Sequence, residues 1–456
     1  MTPLLCVDLG STFTKAALVD GDTGELLATT SHPTTVATDV MDGVDACRAA
    51  LAEQRPEALD APLLACSSAG GGLRIAVVGN EELVTAEAGR RVALSSGGKV
   101  VAVLGRASGQ ADYRALAEQT RPDVVLLTGG TDGGDVDGAL AGARALVASG
   151  WRGPVVVAAN PDAVPQLREV LAGWPVQVAD NVVPRIGVLE PGPARLAIRE
   201  AFLRHVIGGK GLSTRVDLAE VVSGPTPDLV LTGVEVLAAE TGDDVVVVDV
   251  GGATTDVHSV VRLDPEEAGL AREVVAPSPV TRTVEGDLGM RWSAASTWEA
   301  ATGAGLEPAL PQSAALRRTE DPDLLPATPA EVEEDLALAR VAATLAVRRH
   351  VGRSRVVVGP DGRRVERSGT DLREVGLLVG SGGVLRHADP ARAAALLDGL
   401  VGPSPEGWQL PDHPRVVVDR DYVLAAVGLL ATSHDDRRAA AAALARSLAR
   451  WHSTGV

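Results

Sequence analysis

The chain has 456 residues, enough for two or more domains with sizeable cores, and its 45% hydrophobic share and 50 glycines suit an α/β protein with many tight turns. A formal charge of −18, from 60 acidic against 42 basic residues, argues against a nucleic-acid backbone or an anionic membrane surface as a general partner. Cys6, Cys47 and Cys66 show no Cys-x-x-Cys spacing, which argues against an iron–sulfur cluster and leaves them as small core residues of a reducing compartment. No apolar run approaches the roughly 18 residues of a membrane span, and no basic region precedes the first apolar run, so a cytoplasmic protein is expected.

Residues 4–18 form an apolar run ending in Asp8, a turn at Gly10, Ser11 and Thr12, and a second apolar run after Lys15, which predicts a β-hairpin. Such a hairpin suits phosphate. Glycine admits a close backbone approach, the turn N–H groups and the Ser11 and Thr12 hydroxyls donate to oxygens, and Lys15 adds a point charge. Asp8, at the strand end, can face Mg2+ or its water shell. Lysine occurs elsewhere only at positions 99 and 210, which singles out Lys15. Taken alone, the pattern is also that of an ordinary hairpin. Residues 245–260 repeat it with Asp249, Gly251, Gly252, Thr254, Thr255 and Asp256, and two such hairpins suggest two half-domains facing one nucleotide.

Between the hairpins, the pattern predicts a strand over 25–30, a helix over 42–54 and a strand over 61–67. The run Gly70, Gly71 and Gly72 marks a change of organisation. From 73 to about 184, apolar strands at 75–78, 100–104, 124–128, 155–159 and 176–179 alternate with helical segments, the pattern of a doubly wound parallel sheet complete in itself and inserted in the first half. Its loop 128–135 falls where ligands meet such sheets, and is also what a glycine turn before the helix at 136–149 requires. Helices over 195–207 and 227–239 then return the chain to the second half.

After the second hairpin, a strand leads into Glu285-Gly-Asp-Leu-Gly-Met290 and a helical segment over 291–301. Residues 308–329, rich in Pro, Asp and Leu, read as a surface excursion. An amphipathic helix follows over 331–350, then a hairpin over 355–367 turning at 359–362. A buried strand runs into Gly380, Ser381, Gly382 and Gly383, which either lets a nucleoside lie against bare backbone or makes a strand-to-helix turn. The chain closes with a strand over 415–418 and helices over 422–431 and 436–451, the last a packing helix whose exposed face is also open to a partner.

Asp-x-Gly-Ser near the N-terminus, Asp-x-Gly-Gly-x-Thr-Thr-Asp in the middle, Gly-Ser-Gly-Gly, and an Ala-x-x-x-Gly-Leu-Leu helix resemble, in this order, the actin, sugar-kinase and Hsp70 ATPase superfamily. The resemblance implies duplicated actin-like ATPase (ribonuclease H-like) α/β domains with an inserted doubly wound parallel-sheet domain, the two halves closing over a nucleotide. Carried over by position, it implies that Asp8 and Asp256 hold Mg2+ through its waters, and that Asp249 orients or deprotonates the attacking water, close enough to count among the metal's carboxylates. Gly10, Ser11, Thr12, Lys15, Gly251, Gly252, Thr254 and Thr255 would bind the phosphates of ATP, and Gly380, Ser381, Gly382 and Gly383 its adenosine. Ala253 stands where many members have a third glycine. Glu285 and Asp287 are further candidates, or a polar strand-end turn. The expected division is 1–72 for the start of the first half, 73–187 for the insert, 188–245 for a helical connection completing that half, and 246–456 for the second half.

Within the superfamily, Asp-Leu-Gly-Ser-Thr-Phe-Thr-Lys, the insert with Thr-Gly-Gly-Thr-Asp-Gly-Gly, Pro-Thr-Pro at 225–227 and Val-Glu-Gly-Asp-Leu-Gly-Met-Arg resemble the MutL-type accessory proteins of glutamate mutase (GlmL/MutL). That resemblance implies a chaperone-like reactivating ATPase for an adenosylcobalamin-dependent mutase, with mutase subunits and nucleotide as partners. The insert resembles cobalamin-binding domains but lacks their Asp-x-His-x-x-Gly loop, which points to mimicry of a mutase subunit. The alternatives are a sugar or acyl kinase of the same fold and an actin-like structural ATPase.

Overall fold

The structure, a computed structural model, describes residues 2–262, 278–359, 362–433 and 436–450. It opens with an antiparallel meander: β1 (Pro3–Leu9), β2 (Phe13–Asp20) and β3 (Leu26–Pro33). Helix Val40–Ala52 buries Val40, Val44, Cys47 and Leu51, and Asp39 caps it by accepting from the Met41 N–H. Strand β4 (Leu63–Ser67) then pairs parallel to β1.

The chain next builds β5 (Leu73–Val78), β6 (Gly98–Leu104), β7 (Val124–Leu127), β8 (Val155–Val157) and β9 (Val176–Val178). They form one parallel sheet in the order β6-β5-β7-β8-β9, a doubly wound arrangement whose order reverses between β5 and β7. β5, β7 and β8 are buried on both faces, as their apolar runs demand, while the edge strands β6 and β9 are partly exposed. Leu5, Val7 and Val44 from the first elements share one core with Ile75, Val77, Val124 and Leu126 of this sheet, joined by Ile198 and Phe202. The insert therefore packs directly on the sheet it interrupts. The chain returns through helix Gly192–Ala201 to β10 (Val222–Pro225), which pairs parallel to β4, and then helix Thr226–Thr241. The sequence pattern predicts only helices here; β10 is short, ends in Gly-Pro, and takes its strand character from its neighbour rather than from its own pattern.

The second half repeats the first. β11 (Val245–Val250), β12 (Thr255–Val260) and β13 (Val280–Glu285) form an antiparallel meander. After the hairpin β14 (Arg353–Gly359) and β15 (Gly362–Ser368), β16 (Leu377–Ser381) pairs parallel to β11, and β17 (Arg415–Val418) parallel to β16. The sheet orders are β10-β4-β1-β2-β3 and β13-β12-β11-β16-β17. Counted within each half, both read 3-2-1-4-5 from the meander edge, so one topology occurs twice. The expected turn residues Pro360 and Asp361, and Trp451 at the end of the last helix, lie outside the described residues.

Two compact units divide the chain. One runs to Gly233 and takes in Ala425–Ala441; the other takes in Pro279–Leu424. In the second, helix Pro329–His350 is the central packing element. Thr328 and Glu331 cap its start reciprocally, and Leu338, Ala342, Ala346 and Val347 are among its buried residues. The expected surface excursion over 308–329 contains helix Gln312–Glu320 instead. Arg318 on that helix is fully buried, its Nε 2.7 Å from Asp335 Oδ1 on the long helix. A buried charge pair looks like surface composition in sequence, which is why the segment misreads.

Candidate functional site

In the first unit, Leu9 and Thr14 close a hairpin whose loop is Gly10–Phe13. The Gly10 N–H donates to Phe13 O at 3.2 Å, and a Cβ on Gly10 would stand 2.5 Å from that oxygen, so the turn requires glycine. Asp8 and Lys15 face each other across the strands, with Lys15 Nζ 3.5 Å from Asp8 Oδ2. The Thr226 hydroxyl donates to the other oxygen, Asp8 Oδ1, at 2.6 Å. Ser11 is exposed and Thr12 half-buried at the tip. Cys66, beside Asp8, is buried, and burial first and the Asp8 charge second push its thiol well above the usual range, so it is inert packing. Cys6 and Cys47 are likewise buried and unbridged.

In the second unit, Val250 and Thr255 close a loop of the same length, Gly251–Thr254. The Gly251 N–H donates to Thr254 O at 2.9 Å, repeating the Gly10 bond, and a Cβ on Gly251 would stand 2.8 Å from that oxygen. Asp249 and Asp256 occupy the cross-strand pair corresponding to Asp8 and Lys15. Asp256 Oδ2 accepts from Thr254 Oγ1 at 2.9 Å, while Oδ1 accepts from the buried Arg282 guanidinium, whose Nε lies at 2.9 Å. Arg282 thus neutralises the charge that this position adds. Thr255 alternates to the other face of β12, where it is fully buried; its hydroxyl has no hydrogen-bond partner among the described residues, and it does not gather with Thr254 and Asp256.

The glycine loop lies beside this hairpin, with Asp249 opposite Ser381 on β16. Gly382 has φ +106, and a Cβ there would run into Val250 O, so only glycine fits where β16 turns into helix Gly383–His387. Gly380 differs: it is buried within β16, and a Cβ would stand 2.7 Å from Leu397, so its glycine is explained by packing. Asp419, at the end of β17, was not singled out from sequence, although Val-Val-Val-Asp419 repeats the apolar run into Asp249. Its carboxylate accepts from the Val423 and Leu424 N–H groups at 2.9 and 3.3 Å, and burial, assisted by the charges of Asp421 and Asp249, pushes it up to about 6. Asp249, Ser381 and Asp419 therefore stand at or just beyond the carboxyl ends of three neighbouring strands.

Glu285 and Asp287 are gathered by Arg349, whose Nη1 lies 2.6 Å from Glu285 Oε2 and 2.7 Å from Asp287 Oδ1. Burial raises Glu285 above the usual range, and the Arg349 hydrogen bond lowers Asp287. In the insert, the loop 128–135 is held by buried asparagines from three strand ends. Asn80 Nδ2 donates to Asp135 Oδ2 at 2.5 Å, Asn160 Nδ2 to Gly134 O at 3.1 Å, and Asn181 Nδ2 to Gly130 O at 3.0 Å. Asp135 also accepts from the Asp137 N–H at the start of the following helix, so the loop is a stitched turn rather than a slack one.

Among the described residues, no group of three or more His, Cys, Asp and Glu converges on a metal position. One or two carboxylates with the rest water is how Mg2+ is commonly held beside phosphates, and each unit taken by itself offers a strand-end aspartate of that kind, Asp8 in the first and Asp249 in the second. No described helix is long and apolar enough to cross a membrane.

Two 3-2-1-4-5 sheets, each with an aspartate-led glycine hairpin between its first two strands, define the duplicated actin-like ATPase fold, here with a doubly wound insert. The chain belongs to the MutL protein family, whose model matches residues 4–448. It is 35% identical over 453 residues to Protein MutL of Clostridium tetanomorphum, covering 96% of this chain and 97% of the relative. Similar solved structures include nucleotide-free acetone carboxylase, at 15% identity and TM-score 0.40, covering 94% of this chain and 70% of that one. Another is the ATP-dependent caprolactamase from Pseudomonas jessenii, at 13% identity and TM-score 0.35, with 93% and 70% covered. The fold assignment rests on the strand orders of this chain itself.

Proposed function

We propose that this protein binds and hydrolyses ATP with Mg2+, and uses the cycle to reactivate an adenosylcobalamin-dependent carbon-skeleton mutase such as glutamate mutase. The observation that carries the nucleotide reading is the duplicated hairpin. Two loops of equal length, each closed by the same glycine N–H bond and each led by an aspartate at the end of a buried strand, come from two widely separated stretches of the chain. The mutase partnership rests on membership of the MutL family and on the motif resemblance.

In this reading, Ser11, Thr12, Gly252 and Thr254 donate to phosphate oxygens, Gly10 and Gly251, whose N–H groups close the loops, let the phosphates approach the backbone, and Lys15 adds positive charge while ion-paired with Asp8. Bound Mg2+ supplies charge neutralisation on the phosphates. Asp8, Asp249 and Asp256 are the carboxylates that would hold it, mostly through water, Asp256 being oriented by Arg282 and Thr254. Asp249 orients the attacking water and accepts its proton. Ser381, Gly382 and Gly383 line the nucleoside, with Gly382 keeping the backbone bare.

Titration calorimetry of the purified protein with ATP, with and without Mg2+, tests the nucleotide step. Saturable binding strengthened by Mg2+ is expected, and absence of binding to either form overturns it.

A further inference from the structure

The carbonyl edges of the two hairpin loops are held from outside by analogous groups. In the second unit, Gly251 O accepts from the Met290 N–H at 3.0 Å, Gly252 O from the Arg291 N–H at 2.8 Å, and Ala253 O from Ser293 Oγ at 2.7 Å. Three successive carbonyls are thus tied to one short segment. In the first unit, Gly10 O accepts from Thr34 Oγ1 at 2.8 Å and Thr12 O from the Thr34 N–H at 2.9 Å. Both braces follow the third strand of their meander: Thr34 comes directly after β3, and the segment 286–293 after β13.

The consequence is geometric. In a planar trans peptide, C=O and N–H point in opposite directions, so fixing a carbonyl fixes where the next residue's N–H aims. Tying the carbonyls of residues 251, 252 and 253 directs the N–H groups of Gly252, Ala253 and Thr254 away from the brace. Tying Gly10 O and Thr12 O does the same for the N–H groups of Ser11 and Phe13. An array of successive N–H groups aimed to one side is an anion-binding nest.

We propose that Thr34 and Ser293 are positioning residues that act through the loop backbone, turning the N–H edge of each hairpin toward the phosphates of the nucleotide. Neither touches the ligand. The second brace is anchored in turn: Arg291 Nε donates to Leu324 O at 2.8 Å, its Nη2 lies 2.8 Å from Asp335 Oδ2, and Gly289 leaves no room for a Cβ, which would meet Ala253 C at 2.7 Å. Ala253, at the position where many members of the superfamily have a third glycine, is met on its carbonyl side by Ser293 Oγ at 2.7 Å. This inference rests on the phosphate-binding reading above.

The test compares Thr34→Val, Thr34→Ser, Ser293→Ala and Ser293→Thr with the wild type by calorimetry with ATP, ADP and AMP in the presence of Mg2+, alongside thermal unfolding. Thr34→Val keeps the size and the backbone N–H but removes the hydroxyl. Loss of one such hydrogen bond is expected to weaken ATP binding roughly tenfold in Thr34→Val and Ser293→Ala, AMP binding less than about threefold, and to spare Thr34→Ser and Ser293→Thr. A merely structural role lowers the unfolding temperature and weakens all three nucleotides equally, which overturns the proposal, as does unchanged ATP affinity in a wild type that binds ATP. A wild type that binds no nucleotide instead removes the phosphate reading on which the proposal stands.

Discussion

Thr226 donates its hydroxyl to Asp8 at 2.6 Å, joining the start of helix Thr226–Thr241 to the end of β1. Asp8 is thereby held on both oxygens, by Thr226 on one side and Lys15 on the other. In the proposed function, a carboxylate fixed in this way would orient metal-bound water without reorganising.

Replacing Thr226 by valine releases Oδ1 of Asp8. Mg2+-dependent ATP affinity is expected to fall roughly tenfold, the size of one charge-assisted hydrogen bond, while Thr226→Ser retains it. Calorimetric titration at fixed Mg2+ reads the difference.

Arg282 is buried and neutralises Asp256, with side-chain exposures of 3% and 14%. Arg282→Met leaves that carboxylate without its cation, and a loss of roughly 3 kcal/mol in unfolding free energy is expected. The double variant Arg282→Met with Asp256→Asn should recover much of it. Urea denaturation of the wild type, Arg282→Met, Asp256→Asn and the double variant checks the cycle.

Acid sensitivity has two opposing sources. His350 is fully buried between Ser259 Oγ at 2.8 Å and Thr283 Oγ1 at 3.0 Å, and burial lowers it from 6.5 to about 4. The unfolded chain takes up that proton first, so the contribution of His350 is complete above pH 6.5 and is lost as pH falls toward 4, at about 1 kcal/mol per pH unit. Asp419, raised from 3.8 to about 6, acts in the other direction: its contribution is greatest below pH 3.8 and is lost as pH rises to 6. Urea unfolding between pH 4 and 7 should therefore show a shallow net slope, made to rise more steeply with pH by Asp419→Asn and inverted by His350→Gln.

Gly382→Ala places a side chain against Val250 O in a left-handed backbone position. A stability loss above roughly 1 kcal/mol is expected, together with loss of nucleotide binding, because the loop has to move away from β11. Gly383→Ala is the contrast, since its Cβ would find its nearest atom, Tyr422 Oη, at an ordinary 3.9 Å. Thermal unfolding separates the two.

Short apolar runs bounded by turn residues announce the strands, so the alternation of β5 through β9 and the leads into Asp8 and Asp249 are legible from the amino acids alone. The hairpin loops were legible because glycine and hydroxyl residues cluster where a turn must be tight. What escaped depended on partners distant in the chain. β10 is four residues whose conformation is imposed by β4. Arg318 reads as surface charge until Asp335 is brought beside it. Thr226, Thr34 and Ser293 act through hydrogen bonds to residues distant in the chain, for which a sequence carries no local pattern, whereas Asp419, bound locally by the Val423 and Leu424 N–H groups, has a signal in its Val-Val-Val-Asp run. Thr255 shows the converse: the motif names it, but strand alternation turns it away from Asp256.

The central claim is that the duplicated hairpins serve an ATPase whose work is done on a cobalamin-dependent mutase. Its most direct test is Mg2+-dependent ATP turnover by the purified protein, alone and with an inactivated glutamate mutase, with Asp249→Asn as control. Turnover that rises with the inactivated mutase and falls by at least 100-fold, on the order expected for losing a general base, in Asp249→Asn is the predicted result. Turnover that ignores the mutase, or survives in Asp249→Asn, contradicts the account.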